Sequence, residues 1–131
     1  MSETFTKAER LCSKKLIDEL FGGGSASMAA FPLRAVYRFS PMKEDCSVPV
    51  SVLISVPKKR LHHAVDRNRM KRQIREAYRH NKQSLWTRLS EQQRCLNLAF
   101  VCISEEPCPS YKVDNSVKKI LRRIEESLGE S

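Results

Sequence analysis

Residues 55–79 read SVPKKRLHHAVDRNRMKRQIREAYR and join the end of an apolar segment to a strongly basic one. From Asp66 onward the apolar residues recur at spacings of three and four, which is typical of a helix with one buried side. Asp66 can cap the start of this helix, and its negative charge is favourable at that end. We predict that the helix faces the core through Met70, Ile74, Ala77 and Tyr78.

The opposite side of this predicted helix carries almost only cations. Like charges one turn apart, such as Lys71 and Arg75, repel each other by a few tenths of a kcal/mol. Glu76 is the only acid after the cap. Because a face built for solubility would normally interleave acids, the pattern favours a polyanion-binding surface over a solvated helix face. The predicted stripe comprises Asn68, Lys71, Arg72, Arg75, Arg79 and Lys82.

The excess positive charge of the chain is local. The formal net charge is +9, from 24 Lys and Arg against 15 Asp and Glu. Residues 58–82 hold ten of these basic residues and two of the acidic ones, a net +8, and the other residues hold 14 and 13, a net +1. Concentrated charge attracts a polyanion and releases its condensed counterions. The cations Lys58, Lys59 and Arg60 precede the helix and can join the same surface.

RNA is favoured over DNA as the polyanion. A helix that reads the DNA major groove in a helix-turn-helix protein follows a second helix a short turn upstream. Here the upstream segment, residues 48–56, has the alternating apolar pattern of a strand. The histidines His62, His63 and His80 have no carboxylate partner at a suggestive spacing, and we predict neither a catalytic residue nor a metal ligand in the chain.

Outward from the basic segment, helical and strand patterns alternate. Apolar residues at helical spacing predict helices over residues 8–21 and 111–128. Strands are predicted over residues 31–39, 48–56 and 96–103. Residues 81–95 could form a second short helix or extend the basic one. The order is helix, two or three strands, helix, strand, helix, which predicts an α+β fold with one sheet packed against helices.

Chain length and cysteine pattern limit the class of protein further. At 131 residues the chain can form one domain, which we expect to span residues 1–131 with frayed ends at 1–4 and 126–131. No apolar run has the length of a signal peptide core or a membrane span, so we expect a cytoplasmic protein. The cysteines contain no CxxC pair and are odd in number, which favours reduced thiols. They are Cys12, Cys46, Cys95, Cys102 and Cys108.

Residues 55–79 closely resemble the signature of the protein subunit of bacterial ribonuclease P. The hallmark of that family is an Arg-Asn-Arg helix preceded by Lys-Lys, which here is Arg67, Asn68 and Arg69 after Lys58 and Lys59. The segments LFGGGS, LNLAFVCI and SYKVDNSVKKIL fit the family's order as well, so the resemblance covers about residues 4–124. It implies an α-β-β-β-α-β-α domain with a left-handed βαβ crossover, similar to a domain found in some ribosomal proteins.

The resemblance also implies a function. In that family a large RNA with bound Mg²⁺ hydrolyses precursor tRNA to free its mature 5′ end, which carries a 5′-phosphomonoester. The protein binds the catalytic RNA, and a cleft between the sheet and the first helix binds the single-stranded 5′ leader of the precursor tRNA. The implied cofactor is Mg²⁺, held mainly by the RNA and the substrate, and the implied partners are these two RNAs.

The family's RNA-binding positions can be carried over onto this sequence. The set is Lys58, Lys59, Arg60, Arg67, Asn68, Arg69, Lys71, Arg72 and Arg75, to which the cationic stripe adds Arg79. The leader cleft would be formed by Ile17, Phe21 and Phe31, although the family often has an aromatic residue where this chain has Ile17. Two alternatives remain open: a stand-alone module that binds ribosomes or structured RNA, and a nuclease whose chemistry is carried by protein side chains.

Overall fold

The computed structural model describes residues 14–41 and 48–129. It contains a four-stranded mixed sheet with helices on both faces. An α+β fold with one sheet is confirmed, and the order contains one helix more than the family resemblance implies, since α3 follows α2. The elements are α1 (Lys14–Phe21), β1 (Ala26–Ala30), β2 (Leu33–Pro41), β3 (Val50–Ser55), α2 (Ala64–Asn81), α3 (Gln83–Glu91), β4 (Arg94–Cys102) and α4 (Ser110–Gly129).

The strands lie in the order β1-β2-β4-β3. The pairs β1/β2 and β2/β4 are antiparallel, whereas β3 and β4 are parallel. A parallel pair needs a crossover connection, and here α2 and α3 supply it. The left hand of this crossover stays a prediction. β4 therefore joins the antiparallel part of the sheet to the parallel strand β3.

One face of the sheet carries the main core. Leu33, Ala35 and Tyr37 alternate along β2 and are buried there, and β4 contributes alternate residues such as Leu98 and Phe100. Helices α2, α3 and α4 cover this face with their apolar sides. Since each buried aliphatic or aromatic side chain contributes about 1.5–3 kcal/mol, this layer is the main source of stability.

The opposite face of the sheet is covered in part by α1. Leu20 packs there against Ala99, with Ile17, Val36 and Leu53 around them. Because this cluster is small and α1 is a short helix, a cleft remains open between α1 and the strands. The two sides of the sheet therefore differ: one is a filled core, and the other is partly exposed.

The predicted buried side of α2 is confirmed. Met70, Ile74, Ala77 and Tyr78 are all buried. The predicted cap is wrong, because the helix begins two residues before Asp66. His63 holds the N-cap position without a side-chain hydrogen bond, and Asp66 lies in the first turn, where its charge still favours the helix.

Two further boundaries differ from the sequence prediction. The hairpin partner β1 (Ala26–Ala30) was not predicted as a strand, because ASMAA lacks β-branched and aromatic residues. Residues 126–129 continue α4 where fraying was expected, since Leu128 is buried in the core. Of the two alternatives for residues 81–95, the structure has the second short helix, since α3 spans Gln83–Glu91 before β4 begins at Arg94. Residues 1–4 and 8–13, Cys12, Cys46 and residues 130–131 lie outside the described part of the chain.

The described residues also bear on the predictions about the cysteines and about membrane spans. Cys102 and Cys108 are buried and Cys95 is partly buried, and none of these three described cysteines forms a disulfide. Burial raises the pKa of the Cys102 thiol, which disfavours the reactive thiolate. Within residues 14–41 and 48–129, no helix is long and apolar enough to cross a membrane.

Truncation of Met70 should destabilise the fold. Met70 is fully buried, so Met70→Ala should cost about 2–5 kcal/mol of unfolding free energy through lost contacts and a cavity. Val65 on the same helix is 78% exposed, and Val65→Ala should stay within about 0.5 kcal/mol of the wild type. Urea unfolding followed by circular dichroism measures both. Equal midpoints for the two variants would contradict the packing of α2 described above.

Candidate nucleic-acid interface

The cations of α2 and of the turn before it form one surface. We call this surface the cationic face, and it contains the residues carried over from the family's RNA-binding positions together with Arg79. Most of its members on α2 lie on the side away from the sheet, because the apolar residues occupy the other side. Its members are Lys58, Lys59, Arg60, Arg67, Asn68, Arg69, Lys71, Arg72, Arg75 and Arg79.

Arg67 joins the preceding turn to α2. Its Nη1 donates hydrogen bonds to the backbone oxygens of Leu61, at 2.9 Å, and His62, at 2.8 Å. The turn itself is closed by the Pro57 oxygen, which accepts from the backbone N–H groups of Arg60 and Leu61. Lys58 and Lys59 are exposed in this turn. The structure therefore brings these two lysines to the N-terminal end of the helical stripe.

Several side chains of the cationic face have no protein partner. Within residues 14–41 and 48–129, these side chains form no ion pair and no hydrogen bond with another residue. Unpaired cations on one face leave their charge available to a ligand, and arginine presents a forked set of donors that fits phosphate. The unpartnered side chains are those of Lys58, Lys59, Asn68, Arg69, Lys71 and Arg72.

Other members of the cationic face are partly neutralised by acids. Arg79 pairs with Glu76 at 2.6 Å, and Arg60 pairs with Glu105 at 3.6 Å. The hydrogen bond from Arg79 is the main cause of the lowered pKa of the Glu76 carboxyl, and His80 adds to it at 3.5 Å. The strongest unopposed charge is therefore at the turn and the N-terminal half of α2.

Lys82 does not belong to the cationic face, although helical periodicity placed it there. It is 2% exposed, and its Nζ lies 4.4 Å from the centroid of the Trp86 ring and 5.9 Å from that of Tyr78. Trp86 Nε1 donates to the Tyr78 hydroxyl at 2.9 Å. The prediction was wrong because α2 ends at Asn81, so Lys82 lies at the junction with α3 and turns inward over the aromatic rings.

The cleft beside α1 is the second candidate surface. Its volume is about 300 Å³, and half-exposed Phe21 lines it together with Arg34 and Val36 of β2. Arg34 was missed by the sequence analysis, although its place between buried residues of β2 already indicated a side chain on this face. The Ser25 Oγ is buried beside the cleft and has no hydrogen-bond partner among the described residues.

The other two residues predicted for this cleft lie elsewhere. Ile17 packs in the small apolar cluster with Leu20. Phe31 is 66% exposed in the turn between β1 and β2, and its chain neighbour Pro32 accepts a backbone hydrogen bond from Ile103 at 3.0 Å. Phe21 is therefore the one residue of the predicted three that lines the cleft found here.

The described residues offer no protein metal centre. Across residues 14–41 and 48–129, no group of three or more His, Cys, Asp or Glu is placed to hold a metal ion. His62 and His63 are exposed at the start of α2, and His80 contacts Glu76 and Arg79. The arrangement thus supplies cations, amide donors and an aromatic-lined cleft, which suit binding of a polyanion.

A small α+β domain with a one-sided cationic helix is the class of protein that this geometry defines, and comparison with known proteins gives the family. The model of the Ribonuclease P family matches residues 5–125. A ribonuclease P protein component of Porphyromonas gingivalis is 42% identical over 119 residues, which are 91% of this chain and 85% of the relative. One from Chlorobium phaeobacteroides is 41% identical over 86 residues, 65% of this chain and 58% of the relative.

Solved structures agree on the fold. The ribonuclease P protein of Staphylococcus aureus has a TM-score of 0.68 to this chain at 19% identity, with 90% of this chain and 96% of that one covered. A second structure of the same protein gives a TM-score of 0.62, with 92% of each chain covered. The chain belongs to the ribonuclease P protein family, and membership implies a part in the endoribonuclease complex that processes the 5′ end of tRNA.

Loss of the Arg67 side chain should destabilise the protein. Arg67→Ala removes two hydrogen bonds from a charged donor to the Leu61 and His62 oxygens, which should cost about 1–2 kcal/mol of unfolding free energy. Arg69→Ala is the matched control, because this exposed arginine has no bond to a described residue, and it should change stability by less than about 0.5 kcal/mol. Thermal unfolding measures both, and equal stability of the two variants would argue against a stabilising role of the Arg67 hydrogen bonds.

Proposed function

We propose that this protein is the RNA-binding subunit of a ribonuclease P ribonucleoprotein, in which the cationic face binds the catalytic RNA and the α1 cleft binds the 5′ leader of precursor tRNA. The observation that carries the proposal is a set of cations on this face that have no partner among the described residues: Lys58, Lys59, Arg69, Lys71 and Arg72. A polyanion that contacts these residues releases counterions, which drives binding without sequence-specific contacts. Membership of the family supports the ribonuclease P RNA as the polyanion that this face binds.

The two binding surfaces lie on different sides of the sheet. Helix α2 packs on the face with the main core, and its cationic side points away from the sheet, whereas α1 and the cleft are on the other face. One protein molecule can therefore hold a large RNA with one side and a single strand with the other. Holding both polyanions in fixed relation favours cleavage by positioning the substrate and by offsetting repulsion between the RNAs.

The leader cleft combines an aromatic ring with a cation. Phe21 offers one face for stacking on an unpaired base, and Arg34 on the strand beside it can contact a backbone phosphate. Neither a stacked base nor a phosphate contact depends strongly on sequence, so the cleft suits leaders of varied sequence.

The proposal assigns Mg²⁺ to the catalytic RNA and the substrate, where it would supply charge stabilisation for phosphodiester hydrolysis. The donor set of the described protein residues does not fit the ion. Glu76 is paired with Arg79 and His80, and Asp114 is paired with Lys118. Within residues 14–41 and 48–129, no three candidate ligands cluster to hold a metal ion. We accordingly assign the chemistry to the RNA subunit and give no protein side chain a catalytic role.

Reconstitution tests the proposed function directly. Purified protein is mixed with a transcribed ribonuclease P RNA and a precursor tRNA at a low Mg²⁺ concentration that leaves the RNA alone nearly inactive. We expect cleavage at the mature 5′ end to increase about tenfold or more, since 1.4 kcal/mol of added binding already gives tenfold. RNA alone and protein alone are the controls.

Each failure of this reconstitution has a separate meaning. Binding of the RNA without any gain in cleavage would sink the subunit role and leave the stand-alone RNA-binding module. Cleavage by protein alone, abolished when the preparation is further purified, would indicate contamination. Cleavage by protein alone that persists through purification would support the alternative of a nuclease whose chemistry is carried by protein side chains.

Truncation of Phe21 should weaken binding of the leader. Removing a stacked ring costs about 1–3 kcal/mol per base, so the reconstituted Phe21→Ala enzyme should bind a precursor with a leader of several nucleotides about 5- to 150-fold less tightly. A precursor with a leader of one nucleotide is the internal control, and its binding should not change. A loss of the same size for both precursors would place the effect of Phe21 outside the leader cleft.

A further inference from the structure

A cavity between α2 and the start of α4 has no role in the proposed function so far. Its volume is about 740 Å³, and it is separate from the α1 cleft because α2 and α4 cover the other face of the sheet. Its wall combines two arginines of the cationic face with an exposed aromatic ring. The residues that matter here are Arg69, Arg72, Gln73, Glu76, Tyr111 and Asp114.

Tyr111 is the unusual member of this wall. Its side chain is 64% exposed, and it pairs with no aromatic ring and forms no hydrogen bond among the described residues. A single exposed apolar residue is common on protein surfaces and by itself indicates nothing. Tyr111 differs in that its ring borders a cavity whose facing helix carries Arg69 and Arg72.

The two arginines keep their charge free because the acids nearby are engaged elsewhere. Glu76 bonds to Arg79 at 2.6 Å. Asp114 pairs with Lys118 at 2.9 Å and accepts from Asn81 at 3.1 Å. Within residues 14–41 and 48–129, neither Arg69 nor Arg72 has an ion pair or a side-chain hydrogen bond. The cavity therefore offers two unpaired cations opposite an unpartnered ring.

The walls of the cavity are held in fixed relation. Gln73 of α2 is buried, and its Nε2 donates to the Cys108 oxygen at 2.9 Å and to the Ser110 Oγ at 3.1 Å, immediately before Tyr111. The bond from Asn81 to Asp114 ties the same two helices a few turns further along. Because two links join α2 to α4, the ring and the arginines are positioned before any ligand arrives.

We infer that this cavity binds an unpaired nucleotide of the catalytic RNA, with its base stacked on Tyr111 and its flanking phosphates on Arg69 and Arg72. The inference rests on the proposed function, since it takes the cationic face as the surface that meets this RNA. Aromatic stacking requires an accessible base face, and bases inside a duplex have none free, so the nucleotide must be unpaired. The leader is excluded because its cleft lies on the opposite side of the sheet.

The test measures how tightly variants bind a transcribed ribonuclease P RNA over a series of salt concentrations. Tyr111→Ala should raise Kd about 5- to 150-fold, the range expected for one stacked base, without changing the slope of log Kd against log salt. Tyr111→Phe keeps the ring and should bind like the wild type. Arg72→Ala should instead reduce the slope by about one unit, as loss of one phosphate contact does.

Controls separate the cavity from the rest of α4. Asn115→Ala changes an exposed residue one turn along the same helix, outside the cavity lining, and should bind like the wild type. Thermal unfolding should give the same midpoint for Tyr111→Ala and wild type, because the ring is mostly exposed. A fully paired RNA duplex should be bound equally by the two proteins, and a loss of equal size on the duplex would overturn the assignment to an unpaired base.

The outcomes distinguish this inference from the proposed function. If the wild type binds the RNA with a steep salt dependence and Tyr111→Ala binds equally well, the nucleotide site is wrong while the proposed function stands. If the wild type does not bind the RNA, both fail. A loss in Tyr111→Phe as large as in Tyr111→Ala would also overturn base stacking, since the ring is kept.

Discussion

The packing of α2 on the sheet is the constraint on which the rest of the structure depends. Met70, Ile74, Ala77 and Tyr78 fix which side of the helix is inside, and every cation on α2 takes its direction from that choice. The like charges of the stripe repel each other by a few tenths of a kcal/mol per pair, a cost that the burial of these apolar side chains outweighs. Apolar packing thus determines the shape of the charged surface.

Short polar links then refine what packing has set. Arg67 secures the turn with Lys58 and Lys59 against the helix start, and Gln73 secures the helix against α4. Arg67 belongs to the Arg-Asn-Arg segment and Gln73 follows that segment by one helical turn, yet both bond to the protein itself. The N-terminal half of α2 therefore both holds neighbouring elements in place and leaves the side chains of Asn68, Arg69 and Arg72 without a partner among the described residues.

The sequence predicted α2, its buried side and most of the cationic face because amphipathic periodicity is a local property with a strong signal. Properties that depend on tertiary contacts could not be predicted from the sequence. Nothing in ASMAA marks β1, whose strand forms only because β2 pairs with it. Lys82 follows the helical period but leaves the stripe at a helix end. Likewise, Tyr111 and Arg72 line the same cavity only because α4 lies beside α2.

The crossover between β3 and β4 has a consequence for how the chain folds. β1 and β2 adjoin in sequence and can pair early, whereas β3 meets β4 only after α2 and α3 have been placed between them. Closing such a long excursion is slow compared with hairpin formation. Trp86, the single tryptophan, sits in α3 inside the excursion and against Tyr78. Its fluorescence should therefore report when α3 packs against α2 within this crossover.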